Sequence, residues 1–283
     1  MVKAMTQAPF TEEDLRDLYE QQRLSLRAIA ELRGCHPRSV WHQLALFRIP
    51  RRSISEAKLR YERTPFSGIP IERAYLLGFR AGDLHVYKAN HSATSRTIIV
   101  AGTSTSVEQT ALVAELFKPY GRVHLSTGPR QTVVTCYLDL SFTFLLEKPS
   151  AVPRAILDDR ESFAAFLAGY VDAEGCIQVK RYTKAAEVVI RSYDVQILRD
   201  CHIKLQQLGI VSPPVYLVKQ QGQRDGNGPV YRQDYWGLGI YRRQSLQHLF
   251  ALIAPYMKHP KRCRDMQAAW KNVNGRLEHS AEV

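Results

Sequence analysis

Asp83 and Glu174 stand 91 positions apart, each at the end of a segment of similar build. The first segment reads Ala74-Tyr75-Leu76-Leu77-Gly78-Phe79-Arg80-Ala81-Gly82-Asp83-Leu84, and the second Phe166-Leu167-Ala168-Gly169-Tyr170-Val171-Asp172-Ala173-Glu174-Gly175. Aligned on Gly78 and Gly169, the two acids coincide. Gly78 and Gly82 are four apart, as are Gly169 and Ala173. Small residues at i and i+4 make a groove on a helix where another backbone can approach closely. Leu76, Phe79, Leu167 and Tyr170 supply apolar flanks, so two such helices are expected to pack along their small faces. Parallel packing would bring Asp83 and Glu174 together. A carboxylate in the last turn of a helix faces the negative end of its dipole, at a cost of about 0.3–1 kcal/mol. Two carboxylates at short range repel unless a cation bridges them or one is protonated. The arrangement is poor for stability and good for a divalent cation. Hard oxygen ligands with open positions suit Mg2+, and paired sites can activate a water and stabilise the leaving oxygen of a phosphodiester.

The elements around these helices follow the same order twice. After the first acid, strands are expected near 84–88 and 97–101, a helix near 106–117, strands near 122–126 and 133–138, and a short helix near 142–146. After the second acid, the spacing predicts strands over 176–182 and 187–193 and a helix over 194–208 closed by Gly209. A hairpin of 215–220 and 231–242 around a Gly-rich loop follows, then helices over 245–252 and 261–270. In the helix over 194–208, Val195, Leu198, Ile203 and Leu205 are expected to face inward.

Composition narrows the partners. The chain has 283 residues, 45% of them hydrophobic, and a net charge of +12, which favours a polyanion. No apolar stretch approaches the roughly 20 residues that span a bilayer, so no membrane partner is expected. Residues 1–10 lack the apolar core of a secretory signal. The cysteines, Cys35, Cys136, Cys176, Cys201 and Cys263, are odd in number and none are spaced C-x-x-C. They read as reduced residues of a cytoplasmic protein rather than as a disulfide or zinc framework.

Residues 1–52 form a separate helical unit in this reading. Thr11 followed by Glu12, Glu13 and Asp14 starts a helix with Leu15, Leu18 and Tyr19 inward. Ser25 caps a second helix with Ile29 and Leu32 on one face, and Gly34 closes it. A third carries Pro37 near its start and Val40, Leu44 and Phe47 inward. This pattern resembles a helix-turn-helix of the kind found in bacterial regulators and recombinases. The resemblance implies that the last helix enters the major groove, with Arg38, Ser39, Trp41, His42 and Gln43 toward bases or phosphates and Arg48, Arg51 and Arg52 on the backbone. A three-helix packing module with a solvated basic face is the alternative. Residues 53–73 read as a basic linker, with Lys58, Arg60 and Arg63 able to follow a nucleic-acid backbone.

The segment from Leu167 to Gly175 is very similar to the motif that names the LAGLIDADG family, with Glu174 for the second Asp. The segment from Leu76 to Leu84 is looser: Arg80 and Ala81 stand where the family has an apolar residue and an acid, and Leu84 replaces the final glycine. The resemblance covers about 74–275. It implies an α+β fold of two pseudo-symmetric αββαββα half-domains, 74–150 and 151–283, preceded by the small all-α unit. It also implies a monomeric homing endonuclease that cuts both strands of a long asymmetric duplex DNA. Asp83 and Glu174 match the metal-binding position, here for Mg2+. Family members place a basic residue near the cleft. Lys261, then Lys258, occupy that stretch in the second half and Lys148 in the first. The sheet face opposite the helices would meet the major groove. Candidates there are Gln178, Lys180 and Tyr182 on one strand face, then Arg191, Arg224, Arg232 and Gln233. The first half offers His85, Tyr87, Ser126, Arg130 and Tyr137. Two other readings stay open: a transcriptional regulator that binds DNA without cutting, and a maturase that binds intron RNA.

Overall fold

The computed structural model describes residues 10–52, 61–91, 95–226, 228 and 230–275. The chain divides into two compact units, Met1–Tyr61 and Glu62–Val283, each with its own apolar core.

In the first unit, the Thr11 hydroxyl accepts from the Asp14 amide at 3.1 Å and caps α1 (Glu12–Arg16), which continues through a π-turn over Asp17–Gln21. Ser25 caps α2 (Leu26–Leu32) in the same way. Gly34 takes a φ of 62°, open to glycine without strain. The Cys35 amide donates back to the Ala30 carbonyl, and the chain reverses into α3 (Pro37–Leu46). Leu15, Leu18, Tyr19, Ile29, Ala30, Val40, Leu44 and Ile49 close over one another. Leu32, expected inward, is 63% exposed. At about 100° per residue, Leu26, Ile29 and Ala30 share an arc that leaves Leu32 outside it. Lys58 and Arg60 lie outside the described residues.

The second unit opens with a strap rather than a free tether. The Phe66 ring packs on Tyr120, Phe142 and Phe144. Its amide donates to the Ser141 hydroxyl at 2.7 Å, and the Arg63 guanidinium donates to the Thr97 hydroxyl at 2.9 Å. Then αββαββ is traversed twice. The first pass is α4 (Pro70–Gly82), β1 (His85–Lys88), β2 (Ile98–Ser104), α5 (Val107–Phe117), β3 (Arg122–Thr127) and β4 (Thr132–Leu138). A 3-10 turn, Leu140–Leu145, ends it. A short helix absent from the sequence reading, α6 (Arg154–Asp158), leads to the second pass. That pass is α7 (Arg160–Glu174), β5 (Gly175–Val179), β6 (Ala186–Ser192), α8 (Val195–Gln207), β7 (Tyr216–Lys219) and β8 (Tyr235–Ile240). The helices α9 (Arg243–Ile253) and α10 (Pro260–Gly275) complete it. The two sheets are antiparallel with the same order, β1-β2-β4-β3 and β5-β6-β8-β7.

Period-2 alternation gives each sheet one covered face. Val86, Ile98, Val100, Val134, Cys136 and Leu138 are buried on the first, and Ile177, Val188, Ile190, Leu238 and Ile240 on the second. In contrast to a surface helix, α7 is buried at every position from Ser162 to Asp172, as befits a helix apolar on all sides. The α8 side facing the sheet is Ile197, Leu198, Cys201 and Leu205. Ile203, expected inward, is 55% exposed, because five residues after Leu198 the helix has turned past its buried face.

Two strand readings shorten. β5 stops at Val179, where the Lys180 amide donates to the Ala185 carbonyl and the chain turns. Tyr182 therefore sits on the turn, 91% exposed, and not on the strand face with Gln178 and Lys180. The stretch from Tyr231 to Asp234 folds back on the 221–223 loop through Gly222–Tyr231, Tyr231–Gln223 and Gln221–Asp234 hydrogen bonds, so pairing with β7 begins only at Tyr235. Among the described residues no helix is long and apolar enough to cross a membrane.

Candidate active site

The helices α4 and α7 pack through their small residues. A Cβ on Gly78 would lie 2.0 Å from the Phe166 carbonyl oxygen, and one on Gly169 would lie 2.2 Å from that of Tyr75. The two contacts are related by the repeat, since Tyr75 aligns with Phe166 and Gly78 with Gly169. Farther along, a Cβ on Gly82 would meet Ala173 Cβ at 2.5 Å. The helices thus run parallel, and their C-terminal ends lie together. Asp83 is the residue that caps α4, and Glu174 is the last residue of α7. The Glu174 side chain lies across Gly82, with Cγ 2.9 Å and Oε1 3.2 Å from where a Cβ would stand.

The electrostatics of the pair follow from that placement. Asp83 is open to solvent and Glu174 half-buried, yet both lie among enough protein to lose hydration. Burial raises the Asp83 carboxyl, against the lowering effect of Arg262 and of a hydrogen bond from the Gln109 amide. Glu174 is pushed up to about 7, first by burial and then by the charge of Asp83. Lys148 pulls it down and Asp194 adds to the rise. The Lys148 ammonium is 2.8 Å from Asp194. Each acid is therefore offset by a base from the end of the opposite half, Asp83 by Arg262 and Glu174 by Lys148.

One step back from the acids the repeats diverge. Asp172 is fully buried. Its Oδ2 accepts from the Tyr75 hydroxyl at 2.7 Å, the Lys258 amide at 2.7 Å and the His259 amide at 3.1 Å. It ties the segment ahead of α10 to both motif helices. In the first repeat Ala81 holds that position, and Arg80 ties from the other polarity. Its guanidinium donates to the carbonyls of Leu145 at 2.9 Å and Leu84 at 2.6 Å. Lys258 rests its ammonium 4.6 Å from the centre of the Tyr75 ring. The Lys261 ammonium is 2.7 Å from Asp265 on its own helix. Arg262, the next residue, is the base whose charge reaches Asp83, and its Nε is buried without a hydrogen-bond partner.

The outer faces of the sheets collect most of the other candidates. On the first, the register places His85 beside Ala101 and Tyr87 beside Ile99, with Tyr137 next and Ser126 at the far strand. Arg130 lies at the β3–β4 turn. On the second, Gln178 and Arg191 are exposed on the outer face. Lys180 joins Gln178 there, and Tyr235 lies close enough to Glu174 and Arg191 to feel both charges. Arg224 makes a bridge with Val230 in the loop, while Arg232 and Gln233 lie exposed ahead of β8. In the N-terminal unit, Arg38, Trp41, His42 and Arg51 are exposed, Gln43 is half-buried, and the Arg51 guanidinium stacks 4.3 Å over Trp41. Arg52 differs from its expected role: its guanidinium is spent on the Arg23 and Leu24 carbonyls and on the Tyr19 ring.

Sequence reasoning missed Gln109, Asp194 and Arg262. Asp194 and Gln109 sit at helix starts, where a polar residue reads first as a cap, and Arg262 was hidden in a run of bases. Among the described residues no three His, Cys, Asp or Glu side chains converge into a metal cage. Two carboxylates raised by burial, one further by the other's charge, still fit Mg2+. That ion is commonly held by one or two carboxylates with waters and substrate phosphate filling the rest.

Two parallel helices, each ending in a carboxylate and each leading into a four-stranded sheet of identical order, define a tandem, pseudo-twofold αββαββ protein with its two acids at one shared helix end. Residues 161–253, from the first turn of α7 to the end of α9, match the family model described as a LAGLIDADG-like domain. No curated protein sequence matches the chain. Among solved structures it is similar to mesophilic variants of the homing endonuclease I-DmoI, with 15% identity, 70% of this chain and 97% of that chain covered, and a TM-score of 0.46. I-DmoI in complex with DNA and Mn gives 18%, 65%, 97% and 0.44. Full-length DUF199/WhiA from Thermatoga maritima gives 16%, 75%, 63% and 0.46. Likenesses this distant leave the fold to be argued from the topology itself.

Proposed function

We propose that this chain is a site-specific, divalent-metal-dependent endonuclease that cuts both strands of a long, asymmetric duplex DNA as a monomer. The observation that carries the reading is the carboxylate pair, Asp83 and Glu174, held together at the ends of two packed helices despite mutual repulsion. Asp83 and Glu174 would hold the cation, Mg2+ by donor chemistry. When bound it would supply a water of lowered pKa and charge stabilisation for the leaving oxygen. The chain's own part is positioning. Gln109 orients Asp83, and Lys148 and Arg262 limit the repulsion that would otherwise keep a proton on the pair. The outer sheet faces, with His85, Tyr87 and Tyr137 on one and Gln178 and Arg191 on the other, would lie along the major groove. Because the faces differ in sequence, the target would be asymmetric. The exposed Arg38, Trp41, His42 and Arg51 support a helix-turn-helix role for the N-terminal unit, adding affinity.

A second reading, a binder that does not cut, is favoured by the first repeat, where Ala81 replaces an acid and Asp83 accepts from Gln109. The test is cleavage of a randomised duplex library in Mg2+ and in EDTA by the wild type, Asp83→Asn and Glu174→Gln. Metal-dependent double-strand cuts in one sequence context, lost in both variants, are expected. Sequence-selective binding without cuts in any divalent metal would replace the endonuclease with the binder.

A further inference from the structure

The outer face of the second sheet carries a buried acid that neither the cleft nor the fold requires. Glu187 lies on β6 in register with Gln178, on the face away from the helices, and is only 6% exposed. A carboxylate kept from water is costly unless it is paired and hydrogen-bonded. Both oxygens are engaged: Oε1 accepts from the Gln178 amide nitrogen at 2.7 Å, and Oε2 lies 2.7 Å from the Lys180 ammonium. For stability alone, apolar residues of similar volume would often serve as well. The arrangement makes sense as a device that holds the two neighbours in fixed roles.

We propose that Glu187 is a positioning residue that sets Gln178 to read an adenine in the half-site met by the second sheet. The inference rests on the DNA-binding reading given above. A carboxylate beside an ammonium only accepts, so Gln178 must turn its NH2 toward it. The amide is left with its carbonyl oxygen and its second N–H for a ligand. An acceptor beside a donor matches the major-groove edge of adenine, which offers the N6 amino group beside N7. Guanine offers two acceptors there, O6 and N7, and would set O6 against the Gln178 carbonyl. The side chain that would favour guanine is Lys180. It is held by Glu187 and lies 5.9 Å from the centre of the Tyr241 ring, so its charge is committed within the protein. Gln178 itself is exposed and free to meet a base.

Affinity selection of a randomised duplex pool by the full chain, with EDTA present so that nothing is cut, tests this with the wild type, Glu187→Gln and Gln178→Ala. The wild type is expected to enrich one sequence context with adenine preferred about tenfold or more at one position. Both variants are expected to lose that preference at that position and keep the others, a pattern that general destabilisation would not produce. If Glu187→Gln fails to fold, Glu187→Asp takes its place, since it keeps the charge beside Lys180 while drawing the acceptor back from Gln178. A wild-type context that either variant reproduces at every position overturns the role of Glu187 and leaves the DNA reading standing. A wild type that enriches no sequence overturns the DNA reading and the inference with it.

Discussion

Glu174 lies across the face of Gly82, its Cγ 2.9 Å from the point a Cβ would occupy. The absence of a side chain at 82 is what lets the acid of one helix reach the acid of the other, one residue along at Asp83. Gly82→Ala would push against Ala173 Cβ as well as Glu174. We expect it to reduce cleavage at least tenfold, because a misplacement of about 1 Å can cost up to a hundredfold. Parallel cleavage and thermal melting measurements would show the loss of rate exceeding what the fall in stability explains.

Gly78→Ala and Gly169→Ala should behave differently. The clash there is with backbone carbonyl oxygens at 2.0 and 2.2 Å, which cannot rotate away. Separation of the helices would cost about 1–3 kcal/mol or more. Denaturant melts would reveal the loss with no metal present.

Asp83→Asn and Glu174→Gln each remove one hard oxygen donor while keeping shape. Cleavage should fall by about a hundredfold or more, since even partners outside the ligand set cost 10–100-fold. DNA affinity measured in EDTA should be unchanged or higher, as a negative charge near phosphate is gone. Weakened binding in EDTA alongside unchanged cutting would remove both residues from the proposed site.

The raised Glu174 carboxyl makes stability depend on pH. Its value moves from 4.5 to about 7 on folding, through burial and then Asp83. The native state therefore binds a proton that the unfolded chain has released between those values, and ∂ΔG_unfold/∂pH is negative there. The contribution is fully present below 4.5 and lost as pH rises through 7. The metal-free wild type should lose stability over that window relative to Glu174→Gln. Mg2+ should stabilise it more at pH 8 than at pH 6, because the cation binds the ionised form. Parallel melting curves across pH for the two proteins would refute the assignment of the proton to Glu174.

Lys148→Met and Arg262→Met should each raise the pH at which the metal-dependent rate turns on, because each removes a charge that favours an ionised acid. Lys261→Met should move it less, since the Lys261 ammonium is paired with Asp265. The pH profiles of the three variants separate the two groups.

Much of this architecture was legible in the chain. The glycine-spaced repeat located both central helices and both acids, because small residues four apart have one obvious use on a helix. Alternation located the strands and helical spacing the helices between them, since a period of two or of 3.6 is a local property, although the short helix expected near 142–146 is a 3-10 turn. Errors came where the local signal was short. Leu32 and Ile203 were assigned inward by near-periodicity, and Tyr182 was carried past the end of β5. What only the tertiary structure decided is which charges meet. The charge of Arg262 reaches Asp83 as well as Asp265, whereas that of its neighbour Lys261 is held by Asp265 at 2.7 Å. Lys148 reaches Glu174 from the opposite half, and Glu187 finds Gln178 and Lys180 across a hairpin. Pairings between residues distant in sequence depend on how closely two helices approach and on strand register. Periodicity names the face a side chain occupies, and only packing names its partner.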